Sequence, residues 1–298
     1  MCNPSTSAST SNIDYTAEPE EITQLRNQVA DAMERCCTCA YVKSGRFNPT
    51  LKIQQLRYDG VTLKNESDIA WTGEVYVASD GTRGTVTVNH RIKALNKTAD
   101  TVRYPATMAL SNEDLAARLA GIPAAIETAW NARPYKLKIT DAICGERLFD
   151  VRFHVRMVEG DEHYVIDFVN VPYTVKTRDI HRVESRRSYI LSPNWGKWNI
   201  ADPHSATDDD RNNNVLEPHE FGHMIGLKDE YPDAEYDRGG VQYDFPDGRR
   251  ETAAVNDELM GTMAIKKAEP LRYCVTIAYA AIGVLEANGI AVTECVIQ

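Results

Sequence analysis

No apolar stretch in this sequence is long enough to cross a bilayer: the longest, Val275 to Leu285, falls well short of the roughly 20 residues a spanning helix needs. Positive charge is scarce as well. Lys and Arg number 33 against 43 Asp and Glu, for a formal charge of −10. No basic stripe stands out of the kind that phosphate binding requires, so nucleic acid is not the expected partner. The segment Met1 to Asn12 is polar and rich in Ser and Thr, and it lacks the basic n-region and apolar h-region of a classical secretory signal. Export, if it occurs, is expected to use another route, and without export the chain would stay cytoplasmic. Cysteines are few and odd in number: seven, at 2, 36, 37, 39, 144, 274 and 295, which excludes a fully paired framework. Cys36, Cys37 and Cys39 lack the second half of a spaced zinc site, and read as small buried residues or as one disulfide. Cys274 and Cys295 flank a predicted helix and the strand after it, an arrangement that can bring them together.

What the sequence does contain is a core. It has 298 residues, 43% of them hydrophobic. At roughly 150 residues per domain, that length suggests two units or one larger one. Pro19 to Cys36 reads as a packing helix, with Ile22, Leu25, Val29 and Met33 on one face and Glu20 and Glu21 in its first turn. Residues 51–95 change period, with Leu51/Ile53 and Val86/Val88 alternating and two Asp-Gly turn signals, at Asp59 and Asp80, so two β-hairpins are expected. Ser111 and Asp114 form a capping signal that opens a helical stretch bearing Leu115, Leu119, Ile126 and Trp130, interrupted at Gly121-Ile122-Pro123 and ended before Pro134. Phe149, Val151, Phe153, Val155 and Met157 then point one way and their neighbours the other, as on a half-buried strand. Glu159-Gly160-Asp161 turns the chain into a further strand, His163 to Val171, and Ser188 to Ile200 is another extended run. Residues 201–214, with Asp208-Asp209-Asp210, read as an exposed polar loop. His204 within it is expected to be structural.

The chemistry is concentrated in residues 217–231, Glu-Pro-His-Glu-Phe-Gly-His-Met-Ile-Gly-Leu-Lys-Asp-Glu-Tyr. Pro218 suits the first turn of a helix on which His219 and His223, four apart, project from one face. Two imidazoles so placed can grip one zinc ion, and Glu220 can reach a water on that metal without itself filling a ligand position. Gly226 can end the helix in the left-handed conformation and send the chain back toward the metal, where Asp229 is placed to be the third ligand.

This pattern resembles the metzincin-like zinc metallopeptidases, whose motif is H-E-x-x-H-x-x-G-x-x-H, with Asp in the last position in some bacterial secreted members. It is also similar to toxin-type metallopeptidases delivered by bacterial contractile secretion systems. The resemblance is motif-specific from Pro218 to Met263. It implies a methionine turn beneath the metal, with Met260 first and Met263 second as candidates. Two departures stand out: Asp replaces the third His, and Thr262 stands where some members have a Tyr. The third ligand is therefore open between Asp229, Glu230, Glu258 and Glu269. The oxyanion partner is unassigned, with Tyr231, Tyr236 and Tyr243 as candidates.

The expected fold class is α+β. A zincin or metzincin-like catalytic unit over residues 101–298 would have a twisted mixed sheet, a backing helix, an active-site helix and a methionine turn. A helix and β-hairpin region over 1–100 would precede it. The expected function is zinc-dependent hydrolysis of peptide bonds, with Glu220 as general base, His219, His223 and Asp229 as ligands and Zn2+ as cofactor. The alternatives are a zinc amidase acting on peptidoglycan and a non-enzymatic zinc-containing binding module. The resemblance further implies secretion as an effector or toxin, a protein or peptide substrate, a secretion-system carrier and an immunity or inhibitor protein.

Overall fold

The computed structural model describes residues 24–31, 33, 39–46, 53–57, 63–64, 73–172, 188–191, 194–202, 215–230, 238–253, 258–261 and 268–298. The fold is α+β, with a mixed sheet and four helices beyond an N-terminal helical stretch at 24–31. At its centre lies β5 (Arg83–Asn96), whose inward side chains Val86, Val88 and Ile92 are fully buried. One edge of β5 pairs in parallel with β7 (Gly145–Met157). The other pairs first with antiparallel β4 (Glu74–Asp80) and then with parallel β8 (Tyr164–Val169). The β4–β5 hairpin forms at Asp80-Gly81 as its sequence predicts: Gly81 has φ 100°, and Asp80 Oδ1 accepts from the backbone N–H groups of Thr82 and Arg83.

The sheet continues outward on both sides. Beyond β7 lie β6 (Lys136–Asp141) and β13 (Val292–Ile297); beyond β8 lie β10 (Trp195–Asn199) and then β9 (Tyr189–Leu191), which ends the order. Strand β1 (Ala40–Arg46) adds to β4. The extended run expected over Ser188 to Ile200 is thus a hairpin, β9 antiparallel to β10. The turn at Glu159-Gly160-Asp161 likewise does not fold β7 back on itself. It steps over β5, held by Val158 N–H to Ile92 O and His163 N–H to Arg91 O, so that β8 runs on in parallel along the opposite edge.

A second sheet of four strands has the order β12–β11–β2–β3, from β2 (Ile53–Arg57), β3 (Leu63–Lys64), β11 (Arg238–Asp244) and β12 (Arg250–Ala253). Strands from both sides of residue 100 therefore share hydrogen bonds in each sheet. The Asp59-Gly60 turn signal lies between β2 and β3, outside the described residues.

Ser111 caps α1 (Asn112–Leu119) by accepting from Asp114 N–H at 3.0 Å, and the Gly121 break starts a separate helix, α2 (Ile122–Trp130). On α2, Trp130 is wholly buried, its ring tilted against Phe153 of β7 at 5.3 Å and edge-on to Phe221 of α3 (Leu216–Met224) at 5.5 Å. Its indole N–H donates to Pro218 O at 2.9 Å. A buried Trp usually needs such a partner, and this one fixes α3 against the sheet. The last helix, α4 (Val275–Ala287), packs on β1, β4 and β13. Among the described residues, no helix is long and apolar enough to cross a membrane.

Two expectations need correction. Residues 24–31 are helical, but Leu25, Val29 and Met33 are 59%, 56% and 64% exposed, so this is not a packed helix. A helical period specifies an apolar face, not something to cover it. Cys274 and Cys295 do not bridge: both are free and buried. The disulfide is Cys39–Cys144, which ties the start of β1 to the β6–β7 turn. Cys2, Cys36 and Cys37 lie outside the described residues.

Candidate metal centre

Helix α3 is short, nine residues, and buried on nearly every side. It ends as its sequence predicts. Gly226 adopts φ 88°, its N–H donates to His223 O at 3.0 Å, and Leu227 N–H donates to Gly222 O at 2.9 Å. These are the paired bonds of a Schellman motif, which only a residue tolerant of the left-handed region makes without strain. The chain reverses there and returns Asp229 to the face of the helix that carries His219 and His223.

The three side chains converge. Nε2 of His219 and Nε2 of His223 each lie 3.2 Å from Asp229 Oδ1, and one donor atom from each residue falls within 4.8 Å of the others. The two imidazole planes are nearly perpendicular, at 88°. Each ring is aimed from behind: His219 Nδ1 lies 2.8 Å from Leu259 O and His223 Nδ1 lies 2.9 Å from Leu227 O. A carbonyl only accepts, so both Nδ1 atoms carry hydrogen, which leaves each Nε2 to offer its lone pair to a metal ion or, when protonated, to donate to Asp229. Burial alone would lower the His223 pKa, but the charge and hydrogen bond of Asp229 outweigh it and raise the group to about 9. Asp229 is held well below the usual carboxylate range, since the two histidines outweigh its burial.

Glu220 sits beside them, 4% exposed. Burial, opposed by His223 and His219 and reinforced by Asp229 and Asp202, pushes its pKa up to about 7. Its Oε2 is buried without a hydrogen-bond partner among the described residues. A native protein rarely leaves a buried oxygen in that condition unless the group has work to do there.

The other candidates fall into place. Met260 is wholly buried and lies directly against Gly222, in the last turn of α3. The preceding carbonyl, Leu259 O, is the partner of His219. Glu230 and Glu258 are drawn to Arg272 instead of to the histidines, and the Glu269 side chain is exposed. Among the described residues, Asp229 is the acid that joins His219 and His223. Tyr243 is fully buried with its hydroxyl on Glu230, so it does not face the cluster as an oxyanion donor would. His204, Tyr231, Tyr236, Thr262, Met263 and the aspartates at 208–210 lie outside the described residues. Sequence reasoning missed Arg272 and Tyr273. Their only local signal is a charged residue inside the apolar run that opens α4, where an Arg needs a buried partner.

The donor set suits a divalent metal that accepts nitrogen and oxygen, with the second nitrogen of each imidazole already hydrogen-bonded. The chain matches no known protein family, no curated protein and no solved structure.

Proposed function

We propose that this chain is a zinc-dependent endopeptidase of metzincin-like construction, with His219, His223 and Asp229 as the zinc ligands and Glu220 as general base. One observation carries this reading: two imidazole nitrogens and a carboxylate oxygen converge beside a buried carboxylate that has an oxygen without a hydrogen-bond partner among the described residues. The spacing supports it. Ligands about 2.0 Å from a tetrahedral ion stand about 3.3 Å apart, and the two His–Asp separations are 3.2 Å. A zinc ion held there supplies a Lewis acid for the scissile carbonyl and lowers the pKa of bound water toward neutrality.

The remaining work belongs to the chain. Glu220, buried next to His219 on the same helix, is placed to accept a proton from water and to pass it to the leaving amine. Leu259 O and Leu227 O fix the tautomers of the two histidines. Among the described residues strand β9 ends the order of the large sheet, and we take this side of the sheet as the place where an extended peptide is aligned by main-chain hydrogen bonds. A purely structural zinc site has no use for Glu220, which separates this reading from that of a binding module. Action outside the producing cell, as an effector with a carrier and an inhibitor partner, belongs to the same proposal. The Cys39–Cys144 disulfide supports it, because such bonds persist in oxidising compartments.

The test is cleavage of casein and of bacterial envelope proteins by the wild type and by Glu220→Gln. The wild type should cut, and the variant should lose activity while retaining zinc. Undiminished cleavage by Glu220→Gln, or by protein stripped of zinc, would sink the mechanism. Muropeptides released from cell walls with no protein cleaved would move the assignment to a zinc amidase.

A further inference from the structure

Directly behind Asp229 lies a buried polar network that the proposed mechanism does not use. Glu230 is 0% exposed. Its Oε1 accepts from the Tyr243 hydroxyl at 2.7 Å and from Arg272 Nε at 2.8 Å. Its Oε2 accepts from Arg272 Nη2 at 2.8 Å and from the Tyr273 hydroxyl at 3.3 Å. The guanidinium thus grips Glu230 as a two-pronged fork, and it also holds Glu251 of β12, at 2.7 Å, and Glu258. Main chain is tied into the same knot. Glu230 N–H donates to Met260 O at 2.8 Å, and Met260 N–H donates to the Tyr273 hydroxyl at 2.9 Å.

Two consequences follow from that wiring. Glu230, the neighbour of Asp229, and Glu258, the neighbour of Leu259, are committed to Arg272, so that among the described residues Asp229 is left as the acid at the histidines. The two segments that finish the site, 229–230 and 259–260, are also fixed to each other through Tyr273. Asp229 is in the first, and the carbonyl that aims His219 is in the second.

We propose that Arg272, Tyr273 and Tyr243 are positioning residues that select Asp229 as the third metal ligand and set its distance from His219 and His223. This rests on the reading of those three residues as a zinc site. The N-terminal region acquires a role through the same network. Tyr243 lies on β11 in register with Ile53 of β2, so the pairing of β2 with β11 braces the strand that holds Glu230. A lysine at 272 would keep the charge but not the planar fork, so this position should not tolerate the exchange.

The experiment measures zinc affinity of the full chain by competition with a chromophoric chelator. The proteins are the wild type, Tyr273→Phe, Arg272→Lys and a control, Val86→Ala, a buried position of β5 that makes none of the network's hydrogen bonds. Each is also melted with excess chelator to record its Tm. Removing a group that orients a ligand typically costs about 10–100-fold in metal affinity, and that loss is expected for Tyr273→Phe and Arg272→Lys. Val86→Ala should lower Tm while zinc affinity stays unchanged. If Arg272→Lys fails to fold, Tyr273→Phe decides. Zinc binding by Tyr273→Phe as tight as that of the wild type, or a loss no larger than that of an equally destabilised Val86→Ala, overturns the proposal alone. A wild type that takes up no stoichiometric zinc overturns the functional reading, and this inference with it.

Discussion

Replacing Gly222 by alanine tests how closely α3 rests on the turn beneath it. A Cβ at this position, between His219 and His223, would lie 2.2 Å from Met260 Sδ, 2.9 Å from Met260 Cε and 3.3 Å from Trp130 Cζ2. Met260 and Trp130 are both 0% exposed, so the thioether has no solvent to swing into and the indole closes the other side. Two effects oppose each other. Alanine is the better helix former by about 1 kcal/mol, whereas forcing an extra methyl into a filled core costs about 1–3 kcal/mol. A 2.2 Å approach lies far inside van der Waals contact, so the upper part of that range applies, and the net loss should be about 1–2 kcal/mol. In a Met260→Ala background the obstruction is gone and only the helix preference remains, so the same change should stabilise, by up to about 1 kcal/mol. Denaturant unfolding of the four proteins in chelator closes a double-mutant cycle, with an expected coupling of about 2–3 kcal/mol between neighbours of this kind. If Gly222→Ala is as stable as the wild type, or is destabilised equally in both backgrounds, α3 does not rest on Met260 in the way described.

Other outcomes follow from individual residues. Asp229→Asn keeps the shape of the side chain but removes the charge that sustains His223; zinc retention after dialysis should fall sharply, while circular dichroism stays native, and full retention would point to another acid. Burial pushes the Cys274 thiol up and that of Cys295 up to about 12. Both therefore stay protonated between pH 7 and 9, where an ordinary thiol near 8.5 gains reactivity steeply. Peptide mapping after alkylation should find both unlabelled in native protein at either pH and labelled after unfolding; labelling that climbs with pH in native protein would contradict their burial. The Cys39–Cys144 bridge spans a sequence separation of 105 residues, and its loss should cost about 2–4 kcal/mol. Reductant should lower the denaturant midpoint of the wild type toward that of Cys144→Ser and leave the variant unmoved.

The parts of the site that sequence made legible are those built from neighbours. The i, i+4 pair on α3, the left-handed Gly226 and the return of Asp229 all fall within eleven residues, from His219 to Asp229, where helix periodicity and capping chemistry decide geometry. Strand β7 was legible for the same reason: Phe149, Val151, Phe153 and Val155 alternate with outward polar side chains, and all four are buried. Pairings between distant segments have no such signal. The fork of Arg272 on Glu230, the strands of the first hundred residues in both sheets and the step of residues 158–163 over β5 depend on which surfaces meet after collapse. Local period does not encode that. The stretch at 24–31 makes the complementary point, since its pattern forms a helix whose apolar side chains stay exposed.

The second sheet also has a consequence in time. Strand β2 is made before α3, whereas its partner β11 is made after it, and Arg272 and Tyr273 follow later still. A nascent chain carrying both histidines therefore still lacks the clamp on Glu230.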